Sequence, residues 1–115
     1  MHRPGCDPEN MTELDFMCDF CLATWTEENP FVEGHRGSLI CSDCLTRAYR
    51  ATELGDGATK VPEHVNCTLC LLHRDAPHWQ SPIVEGGPVI CASCVVSAAK
   101  MLEKDPASQW EKPVK

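Results

Sequence analysis

Eight cysteines stand in four C-x-x-C pairs, Cys18/Cys21, Cys41/Cys44, Cys67/Cys70 and Cys91/Cys94. This pattern limits the fold more than any other feature of the chain. Two residues between cysteines let one tight turn aim both sulfurs at one ion, and two such turns close a tetrahedral site. The first unit reads C-x2-C-x19-C-x2-C and the second C-x2-C-x20-C-x2-C. A disulfide framework would also use an even set of cysteines. However, the N-terminal stretch MHRPGCDPENMTELDF has no apolar run of the secretory kind, and no window approaches an apolar membrane span. The expectation is therefore a reducing, cytoplasmic setting, metal-bound thiolates and no membrane partner. Cys6 falls outside the pattern and reads as a spare thiol in a tail.

At 115 residues there is room for one ordinary domain or two small ones. Aromatics make up only 6%, so a core of Phe16, Phe20, Trp25, Phe31, Tyr49 and Trp79 would be thin. Structural zinc can supply what such a core lacks, about 10–16 kcal/mol apparent at neutral pH. Two Zn²⁺ ions are expected, one per unit, because local closure costs less loop entropy than exchange between units. A site with four protein ligands has no open position for substrate, so the zinc reads as structural and no enzyme is expected. Rubredoxin-like iron fits less well, because the knuckles lack the Gly and aromatic residues that follow in that pattern. A thioredoxin-like redox centre would need one such motif beside a βαβ unit. His2, His35, His64, His73 and His78 read as exposed side chains, since cysteines already fill each site. Ten Lys and Arg face seventeen Asp and Glu, for a net charge of −7. Two zinc ions on eight thiolates would add about four more negative charges. Nucleic acid is not an expected partner.

The chain also repeats a phrase. PFVEGHRGSLICSDCL begins at Pro30, and SPIVEGGPVICASCV begins at Ser81. NPFVEG and PIVEG read as one strand, SLIC and PVIC as its hairpin partner, and GHRG and GGP as the turn. On this alignment the second unit is three residues longer between knuckle and proline, and two shorter between Glu-Gly and the second pair. LDFM and EHVN read as short extended leads into the knuckles. Leu45, Ala48, Tyr49 and Thr52 fall at i, i+3, i+4, i+7, as do Val95, Ala98, Ala99 and Leu102, so each unit ends in a short amphipathic helix. Gly55–Gly57 stops the first helix, and Pro106 follows the second.

The expected fold class is a small zinc-stabilised α+β protein of two treble-clef-like fingers, each a knuckle, a β-hairpin and a short helix. The expected division is a flexible tail at 1–12, a first lobe at 13–53, a linker at 54–62, a second lobe at 63–105 and a tail at 106–115. Trp110 in that last tail is placed to dock on a lobe or on a partner.

The stretches CDFC…FVEG…LICSDCLTRAYRA and CTLC…IVEG…VICASCVVSAAKML resemble the N-terminal C4 zinc-binding domain of the ClpX family, the AAA+ unfoldases of the ClpXP protease. The resemblance covers roughly residues 16–52 and 65–103. It implies that Cys18, Cys21, Cys41 and Cys44 hold one zinc, and Cys67, Cys70, Cys91 and Cys94 the other. It further implies a finger that dimerises and docks adaptor and substrate segments. ClpX proteins carry one finger followed by an ATPase module. This chain has two fingers and no ATPase, so unfoldase activity does not carry over.

A tandem copy would build the dimer within one chain. Leu45, Tyr49, Val95, Ala99 and Leu102 would pack with Phe31, Val32, Ile83 and Val84 across a pseudo-twofold axis. An apolar groove left over would take a peptide. The expected function is a monomeric, non-enzymatic protein-protein interaction module, an adaptor or regulator in bacterial Clp-type proteolysis. The alternatives are a nucleic-acid-associated zinc protein or small transcription regulator, and a redox or zinc sensor using Cys6 or a labile site.

Overall fold

The computed structural model describes residues 16–55, 57–105, 108 and 110–113. The expectations for the 1–12 tail, Cys6, His2 and Pro106 lie outside these residues. Each half of the chain contributes one antiparallel hairpin that runs straight into one helix. β1 (Phe31–Glu33) pairs with β2 (Leu39–Cys41), which leads into α1 (Ser42–Glu53). β3 (His78–Gln80) pairs with β4 (Val89–Cys91), which leads into α2 (Ala92–Lys104). The result is a small, compact α+β protein. Among the described residues, no helix is long and apolar enough to cross a membrane.

The helices form where the apolar period places them. Leu45, Ala48 and Ala51 are buried on α1, and Val95, Ala98, Ala99 and Leu102 on α2. Tyr49 is half-buried. The start of α1 is held by several acceptors. Cys41 Sγ accepts from the Cys44 N–H, and Asn29 Oδ1 accepts from the Asp43 N–H and the Ser42 hydroxyl. These satisfy donors that a helix start otherwise leaves open. Asp43 in the first turn also matches the helix dipole. Beyond the other end, Gly55 at φ +75° takes the left-handed conformation that glycine tolerates best.

The second hairpin corrects the sequence alignment. Its outer strand is His78-Trp79-Gln80, and the PIVEG stretch forms the loop before β4. The register pairs Phe31 with Cys41 and His78 with Cys91. The Ser42 N–H donates to the Pro30 carbonyl at 2.9 Å, and the Ala92 N–H to the Pro77 carbonyl at 3.0 Å. The counterpart of Pro30 is thus Pro77, not Pro82. With these matched, the second unit is two residues shorter between knuckle and proline, and three longer in the hairpin loop. The total is as expected, but both length changes have the opposite sign. Position opposite the thiol decides the strand, and an apolar-Glu-Gly phrase farther along cannot compete with that register. Ile83, expected in the packing between lobes, is 50% exposed, while Trp79 is buried in its place.

The two halves share one core. α1 packs on α2 and on β3, and α2 reaches β1. The knuckles interlock with the opposite hairpins. Phe20, between Cys18 and Cys21, lies against Trp79 with ring centroids 5.8 Å apart. Its carbonyl accepts from the Ser81 hydroxyl just after β3. Leu69 holds the same place between Cys67 and Cys70. Its carbonyl accepts from the His35 N–H just after β1 at 2.8 Å. The linking segment also joins the second half, as Thr59 and His78 exchange backbone hydrogen bonds of 2.9 and 2.7 Å.

Gly34 marks the tightest point of this interlock. A Cβ there would sit 2.5 Å from Leu69 Cδ2 and 2.7 Å from the Leu69 carbonyl oxygen. Its φ of −105° is open to any residue, so space alone demands glycine. Gly34→Ala is expected to cost about 1–3 kcal/mol as an overpacking change. Thermal melts with zinc in excess would show a lowered Tm; an unchanged Tm would mean that Leu69 is not seated against Gly34.

Candidate metal centres

The hairpin and the knuckle of each half converge on one point. Cys41 and Cys91 are the last residues of β2 and β4, and Cys44 and Cys94 lie in the first turns of α1 and α2. The knuckles close onto them from the other side. The Leu22 N–H donates to the Cys18 carbonyl and the Cys18 N–H to that of Ala23, both at 2.9 Å. The second knuckle repeats this: the Leu71 N–H donates to Cys67 at 2.8 Å, and the Cys67 N–H to Leu72 at 2.9 Å. Each knuckle is then tied to its own hairpin, as the Asp19 N–H donates to the Leu39 carbonyl and the Thr68 N–H to that of Val89.

Cys18, Cys21, Cys41 and Cys44 come together in one group, and Cys67, Cys70, Cys91 and Cys94 in another. Within each group all the sulfurs lie within 4.8 Å of one another. The sulfurs of Cys21 and Cys41 are 3.7 Å apart, those of Cys67 and Cys94 3.8 Å, and those of Cys70 and Cys91 3.9 Å. A tetrahedron with Zn–S near 2.3 Å has edges of about 3.8 Å. A disulfide would need about 2.05 Å. Backbone N–H groups point at the sulfurs as well: Phe20 and Cys41 donate to Cys18 at 3.3 Å, and Cys91 donates to Cys67 at 3.4 Å. The donor set and spacing fit one zinc-type ion per group.

The electrostatics favour the same chemistry. Hydrogen bonds from Cys18 and Cys44 hold the Cys41 thiol far below its usual range, and those donors are themselves pushed up. In the second group Cys67 is held low by hydrogen bonds from Cys91 and Cys94, whose own thiols are raised. Each group thus favours one thiolate while its two hydrogen-bonding neighbours hold their protons. A dication bound there would remove that resistance, because it would stabilise all four thiolates at once.

The two groups differ in exposure. Cys21 alone is half-exposed in the first group, whereas Cys70 and Cys94 are in the second. A cleft of about 160 Å³ opens beside them, with Val32, Leu69 and Met101 on its walls. Arg74 is exposed, and the nearby Cys70 sulfur raises its guanidinium further. Among the described residues no histidine joins either group. His35, His64 and His73 are exposed as expected. His78 is not: it sits fully buried on β3, because the hairpin register places it opposite Cys91. Its Nδ1 meets the Ala76 carbonyl at 2.8 Å, and its Nε2 has no hydrogen-bond partner. The Arg74 contact and the unequal exposure leave no trace in a spacing pattern, although an arginine four residues past a knuckle cysteine is visible in the sequence.

Comparison with family models, with curated proteins and with solved structures finds no match for this chain.

Native mass spectrometry is expected to find two zinc ions per chain; one ion, or none in a folded protein, would contradict the ligand assignment. Cys41→Ser should disorder the first half, whereas Cys6→Ser should leave the spectrum of the folded protein unchanged. Since the raised thiols carry protons in the metal-free protein, zinc uptake should release protons. Apparent affinity should therefore weaken as pH falls, which a pH-indicator titration beside a competition assay would read.

Proposed function

We propose that the chain is a non-enzymatic protein-interaction module, in which two structural zinc ions fix two treble-clef fingers as a pseudo-twofold pair. The observation that carries this reading is the convergence of four cysteine sulfurs at each site, with knuckle residues from one half seated in the other. A four-sulfur set fills the coordination sphere of zinc and leaves no place to activate water. Reciprocal seating of Phe20 and Leu69 produces a fixed shape, which is what a binding surface needs. The net charge of −7 supports a protein partner over nucleic acid. A place in Clp-type proteolysis, as adaptor or regulator, rests on the resemblance to ClpX-type fingers.

The test is affinity capture from the native cell with the zinc-loaded chain as bait and a Cys18→Ser/Cys67→Ser chain as control. A Clp-type unfoldase or its substrates, held only by the loaded chain, is the expected result. Capture of unrelated partners would remove the proteolysis assignment. Mobility shifts with DNA or RNA at physiological salt, without any protein partner, would overturn the module reading.

A second reading, a zinc or redox sensor, is favoured by the half-exposed Cys70 and Cys94. Under mild peroxide, the second group should lose its zinc first, with Cys70 and Cys94 alkylated ahead of Cys41 and Cys44. Simultaneous loss of both ions would end that reading.

A further inference from the structure

We propose that the groove running from Trp110 to Trp25 docks an extended protein segment that carries basic residues beside a bulky apolar one. This deepens the protein-interaction reading above and rests on it. Trp110 is seated on α1: its indole Nε1 donates to the Thr46 hydroxyl at 2.9 Å, and its ring stands edge-on to Tyr49 at 6.3 Å. Between Trp110 and the start of α1 lies a cleft of about 530 Å³. Glu27, Glu28, Asp43 and Glu111 line it, and no Lys or Arg does. Lys60 pairs with Asp75 and Lys112 with Glu103, and among the described residues no cation pairs with any of these four carboxylates. The acidic turn is held in place. Thr26 bridges Asn29 across it, and Asn29 Oδ1 accepts from Ser42 and Asp43 at the start of α1.

The groove does not end there. Through Glu27 and Pro30 it continues into a hollow of about 400 Å³ against Trp25 and Phe31. One end is therefore acidic with an aromatic wall, and the other sets Trp25 and Phe31 beside Glu27 and Asp105. A Lys or Arg at the acidic end would meet opposed charge and the indole of Trp110. A Leu or Phe a few residues away would reach the Trp25 end. Charge complementarity selects the occupant. A second copy of this chain, at −7, and any nucleic acid would be repelled by the same carboxylates.

The test uses the zinc-loaded full chain and the fluorescein-labelled peptide Gly-Lys-Arg-Leu-Phe-Gly, with Gly-Lys-Arg-Ser-Ser-Gly for comparison. Fluorescence anisotropy should show the first peptide binding about tenfold tighter than the second, with weakening as salt rises. Glu27→Lys/Glu28→Lys should weaken that binding by about tenfold or more, whereas Glu63→Lys/Glu85→Lys, equal in charge and outside the groove, should leave it within about threefold. Zinc content and circular dichroism of both variants would confirm their fold. Equal weakening by the two reversals, equal binding of the two peptides, or no binding by the unaltered chain would overturn the groove. A cellular partner that Glu27→Lys/Glu28→Lys retains in full would also overturn it, yet would leave the interaction module standing. Absence of any protein partner would remove both.

Discussion

The fold is organised around two points where four sulfurs crowd together, an arrangement that a bound cation would favour. Each site gathers four thiols within 4.8 Å, where hydrogen bonds support one thiolate, Cys41 or Cys67, and raise the two thiols that donate to it. Secondary structure alone would not hold such a point. The strands are three residues long and the hairpins two-stranded, below what stands alone in water. The knuckles even accept local cost, as Leu22 and Leu71 take φ of 64° and 62° where an L residue is disfavoured by about 1–2 kcal/mol. A structural zinc, which each four-sulfur group fits, would contribute about 10–16 kcal/mol apparent, several times that strain.

Metal geometry and packing between the halves are consequently one problem. The residue just before the second cysteine of each knuckle, Phe20 or Leu69, points away from its own site and into the opposite half. A metal that fixed the knuckle would therefore also fix the residue that joins the halves. A ligand substitution should propagate across the interface, while a change such as Gly34→Ala acts on the interface and leaves the ligands in place. The shared core, with Ile40, Leu45, Ile90 and Val95 fully buried, is the joint product of two units that would each be too small to bury a core.

Cysteine spacing made the two sites and their members legible, because metal geometry translates directly into residue counts. The helices were legible for a similar reason: their period repeats at the same offset from Cys44 and Cys94. The second outer strand was not. Pro82-Ile83-Val84-Glu85-Gly86 copies the wording of Pro30-Phe31-Val32-Glu33-Gly34, yet the chain pairs His78-Trp79-Gln80 instead. Strand choice is set by what sits opposite Cys91 and by which side chain fills the space against Phe20, and Trp79 fills it far better than Ile83 or Val84. Two tertiary facts decided the outcome, and neither is carried by local wording. Trp110 was similarly ambiguous as a lone aromatic near the end of the chain, since its partners Thr46 and Tyr49 are distant in sequence.

The inequality of the two sites follows from the same contacts. Where the halves interlock, one side pairs two large aromatic rings, Phe20 and Trp79. The other side pairs Leu69 with Val32 and Gly34. The smaller set leaves a cleft, and Cys70 and Cys94 stand at its edge. The repeated cysteine pattern thus gives two similar sites, and the side chains that join the halves make them different. The larger pair closes its side of the molecule, while the smaller leaves the second site open to solvent and to Arg74. A chain needing only rigidity would gain from closing both sides. The half-exposed Cys70 and Cys94 stand at the open side, and the acidic groove around Trp110 lies against the other, better protected half.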